Sequence, residues 1–267
     1  MTSDNEKFAR LGRPRNIWAV SAIHAEVDRL AALHDHLGPR LQPGDRLVYL
    51  GNLLGRGRFV METVEELLSF RRALLAMPGM LVTDIVYLRG AQEEMWQKLL
   101  QLQFAPNPVE VLRWMLTQGV AATLEGYGGD AQDGMIAARD GAVQLTRWTN
   151  RLREAMRVAP GHNNLFAALR RAAFTDDNGV LLVSAGIDGT RPLAAQGDSF
   201  WWDSAGFASL VHPYEGFRRI VRGFDPAQNG VAVGDLTATL DGGCGRNGKL
   251  VAGCIDPTGQ ILEILEV

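Results

Sequence analysis

The sequence predicts an α/β protein with strands in two groups and a long all-helical stretch between them. Three observations carry this. Ile17 to Val20, Arg46 to Leu50 and Leu81 to Leu88 are short apolar runs separated by helical periodicity, a βαβαβ pattern that implies a largely parallel sheet covered by helices. From about Glu93 to Ala173 the apolar spacing is helical. Strand patterns then return at Val180 to Val183, Arg219 to Val221, Val231 to Leu240 and Leu250 to Val267, read as an antiparallel finish to a second sheet.

Each element has its own warrant. Val27, Leu30, Leu33 and Leu37 recur at helical spacing until Gly38-Pro39 stops the helix, and Val60, Val64, Leu67 and Leu68 share one face of the next. In the helical stretch, Trp96, Leu99, Leu100 and Phe104 form one segment and Val109, Leu112 and Met115 another, divided by Pro106 and Pro108. A glycine-containing stretch, Gly126 to Gly134, precedes a helix carrying Leu145, Trp148, Leu152 and Met156.

Composition narrows the function. The 267 residues, 46% hydrophobic, suffice for one substantial core, read as a polar tail over 1–15 and a single domain over 16–267. Formal net charge is −3 with no block of lysine and arginine, which argues against a nucleic-acid partner. Met1 to Asn16 lacks an apolar core of signal-peptide length, and no apolar run approaches the roughly 18 residues that span a bilayer, so no membrane association and a cytoplasmic location are expected. The cysteines straddle an Asn247-Gly248 turn; a two-residue hairpin there would set Cys244 opposite Val251 and Cys254 opposite Asp241, leaving two buried thiols without a disulfide.

Residues that could carry chemistry sit just beyond the predicted strands. Val48-Tyr-Leu-Gly51-Asn52-Leu-Leu-Gly55-Arg56-Gly57 runs from a strand into a tight loop. Its outline resembles the Gly-Asp-x-x-Asp-Arg-Gly signature of calcineurin-like metallophosphoesterases, with both aspartates replaced. Ser21-Ala22-Ile23-His24-Ala25 stands where that superfamily has Gly-Asp-x-His-Gly, and Arg89-Gly90-Ala91-Gln92-Glu93 where it has Arg-Gly-Asn-His-Glu. Ser184-Ala185-Gly186-Ile187 replaces His-Ala-Gly-Ile, and Gly223-Phe224-Asp225-Pro226 replaces Gly-His-Thr-Pro. The segment from Trp114 to Gly128 is similar to the helical insert of bacterial phosphoprotein phosphatases and symmetrical dinucleoside tetraphosphatases, except at Val120. The resemblance covers roughly residues 15 to 267.

It implies a sandwich of two mixed β-sheets flanked by helices, with the helical insert at about 93–173 as a cap. It also assigns six metal-ligand positions: Ala22, His24, Asn52, Ala91, Ser184 and Phe224. Two divalent ions there would activate a bridging water for attack on phosphorus. Only His24 keeps the family's residue type; alanine and phenylalanine offer no lone pair, and Asn52 lacks the charge of a bridging carboxylate. The leaving-group acid is replaced by Gln92, and the aspartate that orients it by Gly55. The resemblance therefore implies a fold that has lost its dinuclear manganese, iron or zinc site and acts by recognising a protein partner or an anionic ligand. The alternative is a phosphoesterase of weak or altered activity with non-standard ligands.

Among the remaining candidates, Arg56 occupies the phosphate-gripping position and either contacts an anion or pairs with Glu93. Arg89 is a further candidate ligand-binding residue, with a structural role as its first reading. His24 is expected as a hydrogen-bonded loop histidine. His34, His36, His162 and His212 show no spacing that assembles a new metal site. Trp201 and Trp202 suit core packing or a partner-binding patch.

Overall fold

The computed structural model describes residues 7–267. β1 (Phe8–Arg10) is followed by β2 (Ile17–Val20), α1 (Val27–Leu37), β3 (Arg46–Tyr49), α2 (Val60–Leu75), β4 (Ile85–Tyr87) and α3 (Ala91–Leu99). The helical region continues through α4 (Pro108–Met115), a π-turn at Leu116–Val120, α5 (Ala121–Gly126), α6 (Ala131–Arg139), α7 (Ala142–Val158) and α8 (His162–Ala168). It closes on strand, not helix: β5 (Ala172–Phe174), then β6 (Val180–Val183), β7 (Arg219–Arg222), β8 (Ala232–Val233), β9 (Thr237–Thr239), β10 (Val251–Ile255) and β11 (Ile261–Glu266).

The strands form a five-stranded sheet, β11-β10-β2-β3-β4, and a six-stranded sheet, β1-β5-β6-β7-β9-β8. β2, β3 and β4 are parallel, as their fully apolar runs require when both faces are covered. Alternation along β2 divides the cores. Ile17 and Ala19 face the other sheet with Val48, Leu182, Val221 and Leu240, whereas Trp18 and Val20 face the helices with Leu30, Leu33 and Leu67. No helix among the described residues is long and apolar enough to cross a membrane.

Several expectations are corrected. The last hairpin joins the first sheet, with β10 antiparallel to β2, and the middle of the second sheet is parallel through β6, β7 and β9. The Asn247-Gly248 turn is no two-residue hairpin, because the Gly243 carbonyl accepts from both Arg246 N (2.9 Å) and Gly248 N (2.9 Å). Cys254 consequently lies opposite Trp18 and Glu263 rather than Asp241, and Cys244 precedes the strand with its thiol on the Ile23 carbonyl. Both thiols are free and buried. The predicted Leu81 to Leu88 strand shortens to Ile85–Tyr87, since the Asp84 carboxylate accepts from Leu81 N at 2.8 Å and winds a 3-10 turn ahead of it. Nor does the domain begin at residue 16: Phe8–Arg10 pairs parallel with β5, anchored by Phe8 against Phe200.

Candidate functional site

The five motif segments meet at the C-terminal ends of β2, β3, β4, β6 and β7, and their backbones are hydrogen-bonded to one another. Ala22 N donates to Gly223 O (3.0 Å), Ile23 N and His24 N both donate to Asn52 O (3.0 and 2.9 Å), and Gly223 N and Phe224 N donate to Ser184 O (3.1 and 3.0 Å). His24, Ala25, Asn52 and Arg56 all have positive φ, an uncommon conformation for residues with a Cβ. Two glycines permit the crossing: a Cβ on Gly51 would lie 2.6 Å from Gly90 N, and one on Gly57 would lie 2.5 Å from His24 O.

Glu93 ties these loops together. Its buried carboxylate accepts from Gly90 N (2.8 Å), Asn52 N (2.9 Å) and Leu54 N (3.1 Å), while Asn52 Oδ1 accepts from Gln92 N (3.0 Å). Burial pushes the Glu93 carboxyl upward and these donors pull against it. The expected Arg56–Glu93 pair does not form, because three amides already occupy the carboxylate.

Three of the six positions assigned to metal ligands, Ala22, Ala91 and Phe224, carry apolar side chains. Ala22, Ala185 and Phe224 form a small buried cluster, and His24 lies edge-on to Phe224 with ring centroids 5.5 Å apart. Both His24 ring nitrogens are buried without a well-formed hydrogen bond, and of the hydrogen bonding expected of a loop histidine only a loose contact with the Leu54 backbone is present. Burial first, then the Arg56 and Arg246 guanidinium groups, lower its pKa to about 3, opposed by the Leu54 backbone. Ser184 Oγ and Asn52 Nδ2 are also buried and unpartnered. These residues do not fit a dinuclear centre, since no anionic donor stands at any of the six positions. Among the described residues, no group of three or more His, Cys, Asp or Glu side chains is placed to hold a metal.

Gln92 and Gly55 are complementary. Gly55 has φ +81°, and a Cβ there would lie 2.1 Å from Gln92 Oε1, so the glutamine fills space that any larger residue at 55 would need. Gln92 Nε2 donates to Gln118 O (2.8 Å), and Arg56 N donates to Gly119 O (3.1 Å), joining the pocket to the helical insert.

The resulting cavity, about 220 Å³, is lined by Asn52, Arg56, Gln92, Trp202, Phe224 and Arg246 among others. Arg246 was not singled out in the sequence. It comes from the turn before β10, with its guanidinium over the Phe224 ring at 5.2 Å. Arg89 lies elsewhere: it pairs with Glu94 at 3.0 Å and lines a separate groove of about 470 Å³ between α3, α7 and α8. His34 bonds to Glu66 and Tyr49, and His162 to Tyr127, so they are not brought together. The two tryptophans divide: Trp201 is buried and donates to Arg89 O (2.8 Å), while Trp202 is 42% exposed and packs on Trp114 with centroids 5.6 Å apart.

No protein-family profile matches the chain, and no curated protein matches it. Solved structures do. A candidate diadenosine tetraphosphatase superposes with TM-score 0.56 at 16% identity, covering 98% of both chains. A protein serine/threonine phosphatase from Saccharomyces cerevisiae gives 0.51 at 14% identity, over 92% of this chain and 76% of that one. A cold-active protein-tyrosine phosphatase of a psychrophilic Shewanella gives 0.51 at 12% identity, over 98% and 85%. With the order of its strands and the convergence of its five loops, the chain has the calcineurin-like metallophosphoesterase fold.

Proposed function

We propose that this chain is a pseudophosphatase, a metallophosphoesterase fold that binds an anionic ligand without hydrolysing it. The observation that carries the reading is that Ala22 and Phe224, at two positions assigned to metal ligands, pack with Ala185 in a buried apolar cluster, with a neutral buried His24 beside it. Hydroxide generation needs ions that this donor set does not hold. Leaving-group protonation needs an acid, and Gln92 is an amide whose Nε2 is committed to Gln118 O. A protein partner has its own supporting observation in the exposed Trp114–Trp202 pair beside the cavity.

Dialysed protein offered excess manganese is expected to retain well under one ion per chain by elemental analysis, and to leave aryl phosphate, phosphopeptide and dinucleoside polyphosphate at background turnover. About two ions per chain, the stoichiometry of a dinuclear site, or metal-dependent turnover abolished in His24→Ala, would establish the enzyme reading instead.

A further inference from the structure

We propose that the cavity is a metal-free oxyanion site in which the guanidinium groups of Arg56 and Arg246 together bind a phosphoryl group, with Phe224 as the platform that holds Arg246 in place. The inference rests on the pseudophosphatase reading and adds the ligand class and the second cation.

The two arginines come from opposite sides. Arg56 follows β3 and is fixed by its backbone bond to the helical insert; Arg246 is carried by the turn before β10. Both line the cavity, yet among the described residues neither lies within ion-pair distance of a carboxylate, and Arg56 Nε and Arg246 Nη1 are buried donors with no partner. The nearby carboxylate, Asp241, is occupied by Asp225 N (2.8 Å) and Gly243 N (2.8 Å). Two like charges left facing one space with unused donors are complementary to an anion. Burial, and then Arg246, pull Arg56 below its ordinary value, and the charge of Asp241 opposes them without offsetting them. Asn52 Nδ2 adds a third unused donor, and Gln92 Oε1 is an unpartnered acceptor that suits a protonated phosphate oxygen.

Phe224 gives the site its particular form. It stands at a position assigned to a metal ligand, and its ring carries the Arg246 guanidinium. A lost ligand has become support for a replacement charge. The volume of about 220 Å³ is below the roughly 300–1,000 Å³ of drug-sized ligand sites. It fits one phosphoryl group, either inorganic phosphate or the terminal group of an ester extending past Trp202.

Calorimetric titration of the full chain with inorganic phosphate, and separately with phenyl phosphate, both in excess EDTA, tests the site. A Kd of roughly 0.1–1 mM is expected from two charged donors acting together. Arg56→Ala and Arg246→Ala should each weaken binding about tenfold or more, Phe224→Leu about threefold, and Arg89→Ala, outside the cavity, not at all. Arg246→Gln serves if the alanine variant does not fold, with circular dichroism as the check. Tighter phenyl phosphate binding identifies an ester as the source; equal binding identifies free phosphate. No phosphate binding up to about 10 mM, or equal binding by wild type and a folded Arg246 variant, overturns the site while leaving the pseudophosphatase reading intact. Two tightly held metal ions would sink that reading instead, whatever phosphate does.

Discussion

Two regions of the same cluster of loops differ completely. Around Glu93, one carboxylate accepts from three backbone amides of the β3 and β4 loops, at 2.8 to 3.1 Å. Around Ala22, Ala185 and Phe224, the loops make equally regular backbone bonds but present carbon to one another. The first region holds the loops in their crossing geometry; the second is where metal chemistry would be done. The loop framework and the reactive groups draw on different atoms, so the framework survives when the ligands do not.

Breaking the Glu93 side should have the largest effect. Glu93→Ala strands three buried amides and is expected to destabilise the fold by about 3–5 kcal/mol in denaturant unfolding. A loss under 1 kcal/mol would mean water replaces the carboxylate and the comparison is false.

The apolar side has a pH signature. His24 has a folded pKa of about 3 against an ordinary 6.5, so the unfolded chain binds a proton the folded one refuses. Its contribution is fully present above about pH 6.5 and is lost as pH falls toward 3. Wild type should therefore lose about 2 kcal/mol more than His24→Asn between pH 7 and 5. Asparagine tolerates the left-handed backbone at this position, and parallel stability curves would show that His24 is not a buried neutral imidazole.

The smallest effect sharpens the boundary between the two regions. Gly55→Ala should be relieved by Gln92→Ala, with a favourable coupling of about 1 kcal/mol in a double-mutant cycle, because the new Cβ takes space the glutamine side chain now fills. Additive losses would mean that backbone strain at φ +81°, rather than contact with Gln92, accounts for the glycine.

Much of this was legible in the sequence. The apolar runs and helical spacing gave β2, α1, β3 and α2, because a parallel strand buried on both faces leaves a continuous signal. The convergence of the five motifs was legible only through the family resemblance that their order and surviving glycines carry. What was not legible depended on partners distant in sequence. Phe8 alone marks β1, and nothing local says that β10 pairs with β2 rather than closing the second sheet. That pairing hid Arg246. It brings the preceding turn against His24 so closely that a Cβ on Gly245 would lie 2.4 Å from His24 Cβ, and only then does the next residue reach the cavity. In the sequence, Arg246 is one arginine in a glycine-rich turn. The Arg56–Glu93 pair failed for a related reason: opposite charge in neighbouring motifs predicts attraction, but not the backbone amides that occupy the carboxylate first.

The π-turn at Leu116–Val120 has a mechanical consequence. Its left-handed Gly119 (φ 107°) aims two successive carbonyls at the pocket, Gln118 O receiving Gln92 Nε2 and Gly119 O receiving the amide of Arg56. The insert is thereby fastened to the residue that reaches for the anion. Trp114, on α4 one turn earlier, is among the insert's exposed apolar residues. A macromolecule whose docking on α4 carried these carbonyls with it would displace Arg56 through the same two bonds. By thermodynamic reciprocity, a phosphoryl group that fixes Arg56 must then change the affinity of that docking by the same factor, making the turn a lever between an inner occupant and an outer one.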